Sequence, residues 1–160
     1  MKKRTLLSLA LAPTLLFTSA ALTQAADHGD HADHKRQPSP KGAKVYIVTP
    51  KDGKTVKRKF KVVFGLQGMG VCPAGITAQG VAIPDTGHHH LLVDVAKLPD
   101  FNKPLAADMP EKIKHFGKGQ TETTLELPPG KHTLQLVFAD YGHFAHNPPV
   151  VSKKITVTVK

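Results

Sequence analysis

Cysteine is nearly absent: Cys72 is the only one among 160 residues. A single thiol cannot close an internal disulfide, so the fold must be held by a buried core. Long hydrophobic runs are also missing. After the first 25 residues no segment could span a bilayer, which argues against an integral membrane segment in the mature chain. No recognisable motif places a nucleophile, and no two carboxylates have a spacing that argues for acid–base work. Acidic residues are scarce, twelve against 22 basic, for a net charge of +10. In an exported chain this balance does not point to nucleic acid. It describes a soluble surface that at most leans on anionic envelope polymers.

What is present begins with an address. Lys2, Lys3 and Arg4 precede an apolar stretch over 6–17, and small residues follow. This pattern predicts a secretory signal peptide over residues 1–25, with cleavage after Ala25 and Ala26 as the neighbouring site. Cys72 is far from that point, so no lipid-attachment cysteine is expected. The mature protein is expected in the periplasm or secreted, with its charge lowered from +10 to +7 by loss of Lys2, Lys3 and Arg4. Roughly 135 residues remain, enough for one domain.

Residues 26–43, ADHGDHADHKRQPSPKGA, show no apolar period and read as a flexible His/Asp-rich tail. From Lys44 short alternating runs take over: Val45 and Ile47; Phe60, Val62, Phe64 and Leu66; Leu91, Val93 and Val95. Leu125 with Leu127, Leu134 to Phe138, and Ile155 to Val159 continue them. Period two marks half-buried strands. Pro50-Lys51-Asp52-Gly53, Pro128-Pro129-Gly130 and Asn147-Pro148-Pro149 read as turns between them. Six or seven such strands and no amphipathic helix predict an all-β fold. It is a single immunoglobulin-like antiparallel β-sandwich over residues 44–160. Two long connections, 67–87 and 97–120, border the histidines.

Histidine is the residue the domain gathers. In TGHHHLLVDV (86–95), His88 and His90 leave one face of a strand about 7 Å apart, a spacing that can chelate one ion. His89 points the other way, in phase with Leu91 and Val93, and reads as a hydrogen-bonded ring at the end of the core. Asp94 shares the His88 face but lies too far along to count as a ligand. His143 and His146 follow a later strand, and His115 sits inside the second long connection. Loops of a sandwich gather at its ends, so the three segments are expected to meet at one rim. Imidazole suits Cu(II), Zn(II) and Ni(II), and copper is usually held most tightly. Met69 and Cys72 read as a gap-filling methionine and a small thiol rather than soft ligands. His132 reads as a cap on the core.

A second metal set lies in the tail. Cleavage after Ala25 would leave Ala26, Asp27 and His28 first. The free amine, two amides and an imidazole then form a square-planar nitrogen set for Cu(II) or Ni(II). His31 and His34 continue the histidine repeat.

The runs GMGVCPAG (68–75), TGHHHLLVD (86–94), HFGKGQTET (115–123), PPGKHTLQLVFAD (128–140) and HNPPVVSKKITVTV (146–159) resemble a bacterial family, domain of unknown function 4399. The resemblance spans nearly the whole domain and implies a small exported β-rich unit without supplying a reaction. It treats Cys72 as a local variation of its loop and argues against a cysteine mechanism. The stretch at 117–121 lacks phosphate-loop spacing.

Three functions compete. The first is a periplasmic histidine-rich metal-binding protein for copper, with zinc as the alternative, acting in buffering, delivery or resistance. The second is a metal-independent envelope module for anionic polymers or a protein partner, favoured by the basic run KDGKTVKRKFK (51–61). The third, an enzyme, is the weakest. A histidine-brace copper oxygenase needs histidine as the first mature residue, and neither cleavage provides it.

Overall fold

A computed structural model describes residues 35–105 and 109–160. Among them every regular element is a strand. In order these are β1 (Lys44–Thr49), β2 (Thr55–Val56), β3 (Lys59–Gln67), β4 (Gly70–Val71), β5 (Thr77–Ala78) and β6 (Val81–Ala82). Then follow β7 (Thr86–Val93), β8 (Ile113–Phe116), β9 (Glu122–Glu126), β10 (Gly130–Ala139), β11 (Ala145–Val151) and β12 (Ile155–Val159). No helix among the described residues is long and apolar enough to cross a membrane.

Two sheets face each other, as the alternating runs predict. The smaller has the order β1-β3-β9, all antiparallel. The larger runs β2-β12-β10-β7-β4, with β11 beside β10 and β8 beside β7. Only the short β2–β12 and β4–β7 pairings are parallel. Residues 77–82 form a separate small hairpin. The inner faces supply the core: Val45, Val62, Phe64 and Leu125 meet Leu91, Leu134, Leu136, Phe138 and Val157. Each such side chain contributes roughly 1.5–3 kcal/mol when fully buried.

β7 departs from simple alternation, because seven of its eight residues are buried. Its outer face is covered as well. Leu92, Val137, Ala139 and Ile113 pack there with Val95, Leu105 and Ala145, and Phe101 and Met109 of the long connection lie over them. So the large sheet carries a second, smaller apolar layer on its back. His88 and His90 share that back face with Leu92.

Two sequence expectations change. The tail over 26–43 does not stay off the domain throughout: from Arg36 it runs along β11. Arg36 donates to the carbonyls of Ala145 and His146, and Pro38 bridges Asn147. The Ser39 hydroxyl donates to the Pro148 carbonyl. These are main-chain acceptors that periodicity cannot reveal. Secondly, Asn147-Pro148-Pro149 is not a turn between strands but lies inside β11. The ladder to β10 shifts register between Phe138 and Ala139, so the prolines fall in an irregular edge where no N–H is required.

Candidate metal centre

Two main-chain ladders and one turn bring the histidines together. In β7 the order His88-His89-His90 alternates faces. β10 lies on one side, pairing Ala139 with His88 and Val137 with His90. β8 lies on the other, pairing His115 with His90. Cross-strand partners on one face project in parallel, so His115 joins His88 and His90. His143 arrives from the turn after β10, with a φ of 71°.

That turn is shaped by Asp140, which is fully buried. Its Oδ1 accepts the N–H of Gly142 at 2.9 Å and of Phe144 at 3.1 Å, while Oδ2 accepts the N–H of Gln37 at 3.3 Å. Asp140 therefore ties the docked arm to the His143 turn. The long connection is tied in too, since the Leu105 N–H donates to the His143 carbonyl at 2.8 Å.

The result is a four-ring cluster. Ring centroids of His88 lie 4.8 Å from His90, 4.9 Å from His115 and 5.1 Å from His143. His115 is 5.1 Å from His90 and 4.8 Å from His143, and His90 is 6.1 Å from His143. Donor atoms of His88, His90 and His115 all fall within 4.8 Å of one another. Nitrogens on one tetrahedral ion sit about 3.4 Å apart, given metal–nitrogen bonds near 2.0–2.1 Å. The donor separations here, up to 4.8 Å, exceed that spacing at their widest.

Burial sets the protonation. It holds the His88 imidazolium down to a pKa of about 3, with the neighbouring His143 and His115 rings adding repulsion. Burial likewise puts His90 well below its ordinary value, and lowers His115. Both nitrogens of His88 and of His90 are buried and meet no hydrogen-bond partner among the described residues. Such groups cost about 1–3 kcal/mol each when left unsatisfied. Neutral, desolvated and unpartnered imidazoles are donors fit for a metal ion. His115 is exposed and stands at the opening.

The other histidines go elsewhere. His146 faces two carbonyls, Phe138 O at 3.3 Å from Nδ1 and Thr86 O at 3.1 Å from Nε2, and stacks on the Phe138 ring. The structure does not bring it into the four-ring group. His89 packs in the core against Phe64 and Phe138, as its phase predicts. Its nitrogens, however, find no partner within hydrogen-bond limits among the described residues. Burial pushes it down to about 4, offset in part by the Gln120 backbone nearby. His132 Nδ1 meets Asp94 Oδ2 at 2.7 Å, which raises its pKa and occupies Asp94. Met69 packs against the core, and Cys72 is half-buried and outside the donor group. Ala26, Asp27, His28, His31 and His34 lie outside the described residues.

Sequence reasoning missed Asp140 as the organiser of the His143 turn. An aspartate two and four residues before backbone N–H groups in a Gly-containing turn was the available signal. It also missed β8, whose four residues are too short for a visible period.

Fold and site together define a small β-sandwich domain with a buried histidine cluster on the back of its larger sheet. The chain belongs to the family described as domain of unknown function DUF4399, whose model matches residues 62–160 and so takes in the whole cluster. No curated protein matches the chain. Among solved structures, the endo-β-1,4-mannanase from Thermotoga petrophila is similar at 17% identity and a TM-score of 0.38. The match covers 74% of this chain and 20% of that one. Fibronectin(III)-like modules of Clostridium thermocellum CbhA are similar at 11% identity and a TM-score of 0.38, over 78% and 46%. The chain thus spans about a fifth and less than half of those two lengths.

Proposed function

We propose that the protein is an exported metal carrier, copper being its ion and zinc the alternative, and that it buffers or delivers the ion rather than catalysing a reaction. The observation that carries this is the convergence of His88, His90 and His115 donor atoms within 4.8 Å, with the nitrogens of the first two buried and unpartnered. His143 is the fourth ring of the set. An all-imidazole set fits copper and zinc, and copper leads on nitrogen donors. The signal-like start of the chain supports a periplasmic or secreted setting.

The test uses the exported chain with His28, His31 and His34 changed to alanine, so that only the domain can bind. Native mass spectrometry should then show one Cu(II) or Zn(II) held per chain. Replacing His88 and His90 together with alanine should abolish that binding and keep the β-sheet circular dichroism. Unchanged affinity in the double variant would sink the reading.

One observation favours a second reading. Lys51, Lys54, Lys57, Arg58, Lys59 and Lys61 are all exposed, and among the described residues only Lys61 of these forms an ion pair, with Glu122 at 2.7 Å. Such a strip suits anionic envelope polymers. Binding that survives a chelator but weakens with salt would support it.

A further inference from the structure

We propose that residues 72–75 form a strap that sets the geometry of the histidine cluster and thereby its choice of ion; this rests on the metal-binding reading above. The cluster draws its rings from β7, from β8 and from the turn after β10. Strand ladders align the first two, but His143 lies beyond the end of the β10 ladder. The strap reaches all three pieces. The Cys72 N–H donates to the Gly87 carbonyl at 2.7 Å, next to His88. The Ala74 N–H donates to Gly117 O at 2.9 Å, two residues after His115. The Gly75 N–H donates to Tyr141 O at 2.9 Å, two residues before His143.

The residue types fit this task. Pro73 has no N–H and sits between two donors. Gly75 has a φ of +72°, which an L side chain adopts only under strain, and this redirects the chain from Gly117 toward Tyr141. Gly117 is the contact point between strap and ligand. A Cβ there would overlap Cε1 and Nε2 of His115 and come within 3.1 Å of the Ala74 Cβ. The His115 ring thus occupies space that only glycine leaves, directly under the strap. Ions differ in the donor spacing they accept, tetrahedral for Zn(II) and tetragonal for Cu(II). Three short tethers that fix those spacings make the strap a specificity-determining element, acting through the ligands without touching the ion.

The experiment compares the whole exported chain, with the tail histidines replaced, against Ala74→Pro and Gly117→Ala. The first deletes the central tether. The second keeps every tether and presses only on His115, so it carries the test if Ala74→Pro does not fold. In metal-free protein, nitrogen-15 imidazole resonances should move for His115 in both variants, and for His88 and His143 in Ala74→Pro. Titration with Cu(II) and with Zn(II) should then show unequal losses, shifting the ratio of the two affinities by about tenfold or more. Wild-type resonances, or equal losses for both ions, would overturn the strap as a determinant of selectivity. Should the unsubstituted chain take up neither ion while the resonances move as described, the metal reading falls and the strap stands as organiser of the cluster.

Discussion

His88 and His90 are neutral imidazoles at neutral pH, because burial disfavours the imidazolium and so removes the second proton with which a metal ion would compete. Three ordinary imidazoles would lose several hundredfold in affinity between pH 7 and pH 5.5, on the order expected from a pKa near 6.5. Burial moves that loss to lower pH. The affinity of the domain site should change by less than about tenfold over that interval, measured by competition against a chelator of known pH dependence. Asp140 makes a second claim at this scale. Asp140→Ala leaves the N–H groups of Gly142 and Phe144 buried without their acceptor. The variant should lose roughly 1–3 kcal/mol in urea unfolding. It should also bind metal more weakly than His146→Ala, since His146 lies outside the four-ring group.

Among the elements, β7 carries the most. Its neighbours approach so closely that Gly87 admits no side chain: a Cβ there would overlap the Ala139 carbonyl oxygen and come within 2.9 Å of the Phe138 ring. Gly87→Ala should therefore destabilise the metal-free domain by ~1–3 kcal/mol, read as a lower urea midpoint, because the obstacle is backbone of the central strand. Elements buried on one face were legible from the sequence. Val45 with Ile47, and Phe60 to Phe64, alternate because one side meets the core and the other meets water. β8 was hidden because four residues among glycines and prolines show no period. His115 could be named as a candidate, but its seat opposite His90 follows from strand register, which no local pattern encodes. β11 was misread because two prolines argue for a turn, whereas an irregular sheet edge tolerates them equally well.

For the whole molecule, the buried histidines link stability to pH. His88 and His89 have folded pKa values of about 3 and about 4, below the 6.5 of an unfolded chain. Between those limits unfolding takes up protons, so stability is complete above pH 6.5 and is lost as pH falls toward 4 and 3. His132, raised by Asp94, runs the other way and loses its contribution as pH rises through its folded value. The buried rings outnumber it. Urea midpoints measured with a chelator present should therefore drop steadily from pH 7 to pH 4.5, with saturating metal flattening the decline.

The docked arm has a consequence beyond shape. Arg36 and Gln37 fasten the chain to the His143 turn and its flank, so whatever loosens this arm also loosens the seat of the fourth ring.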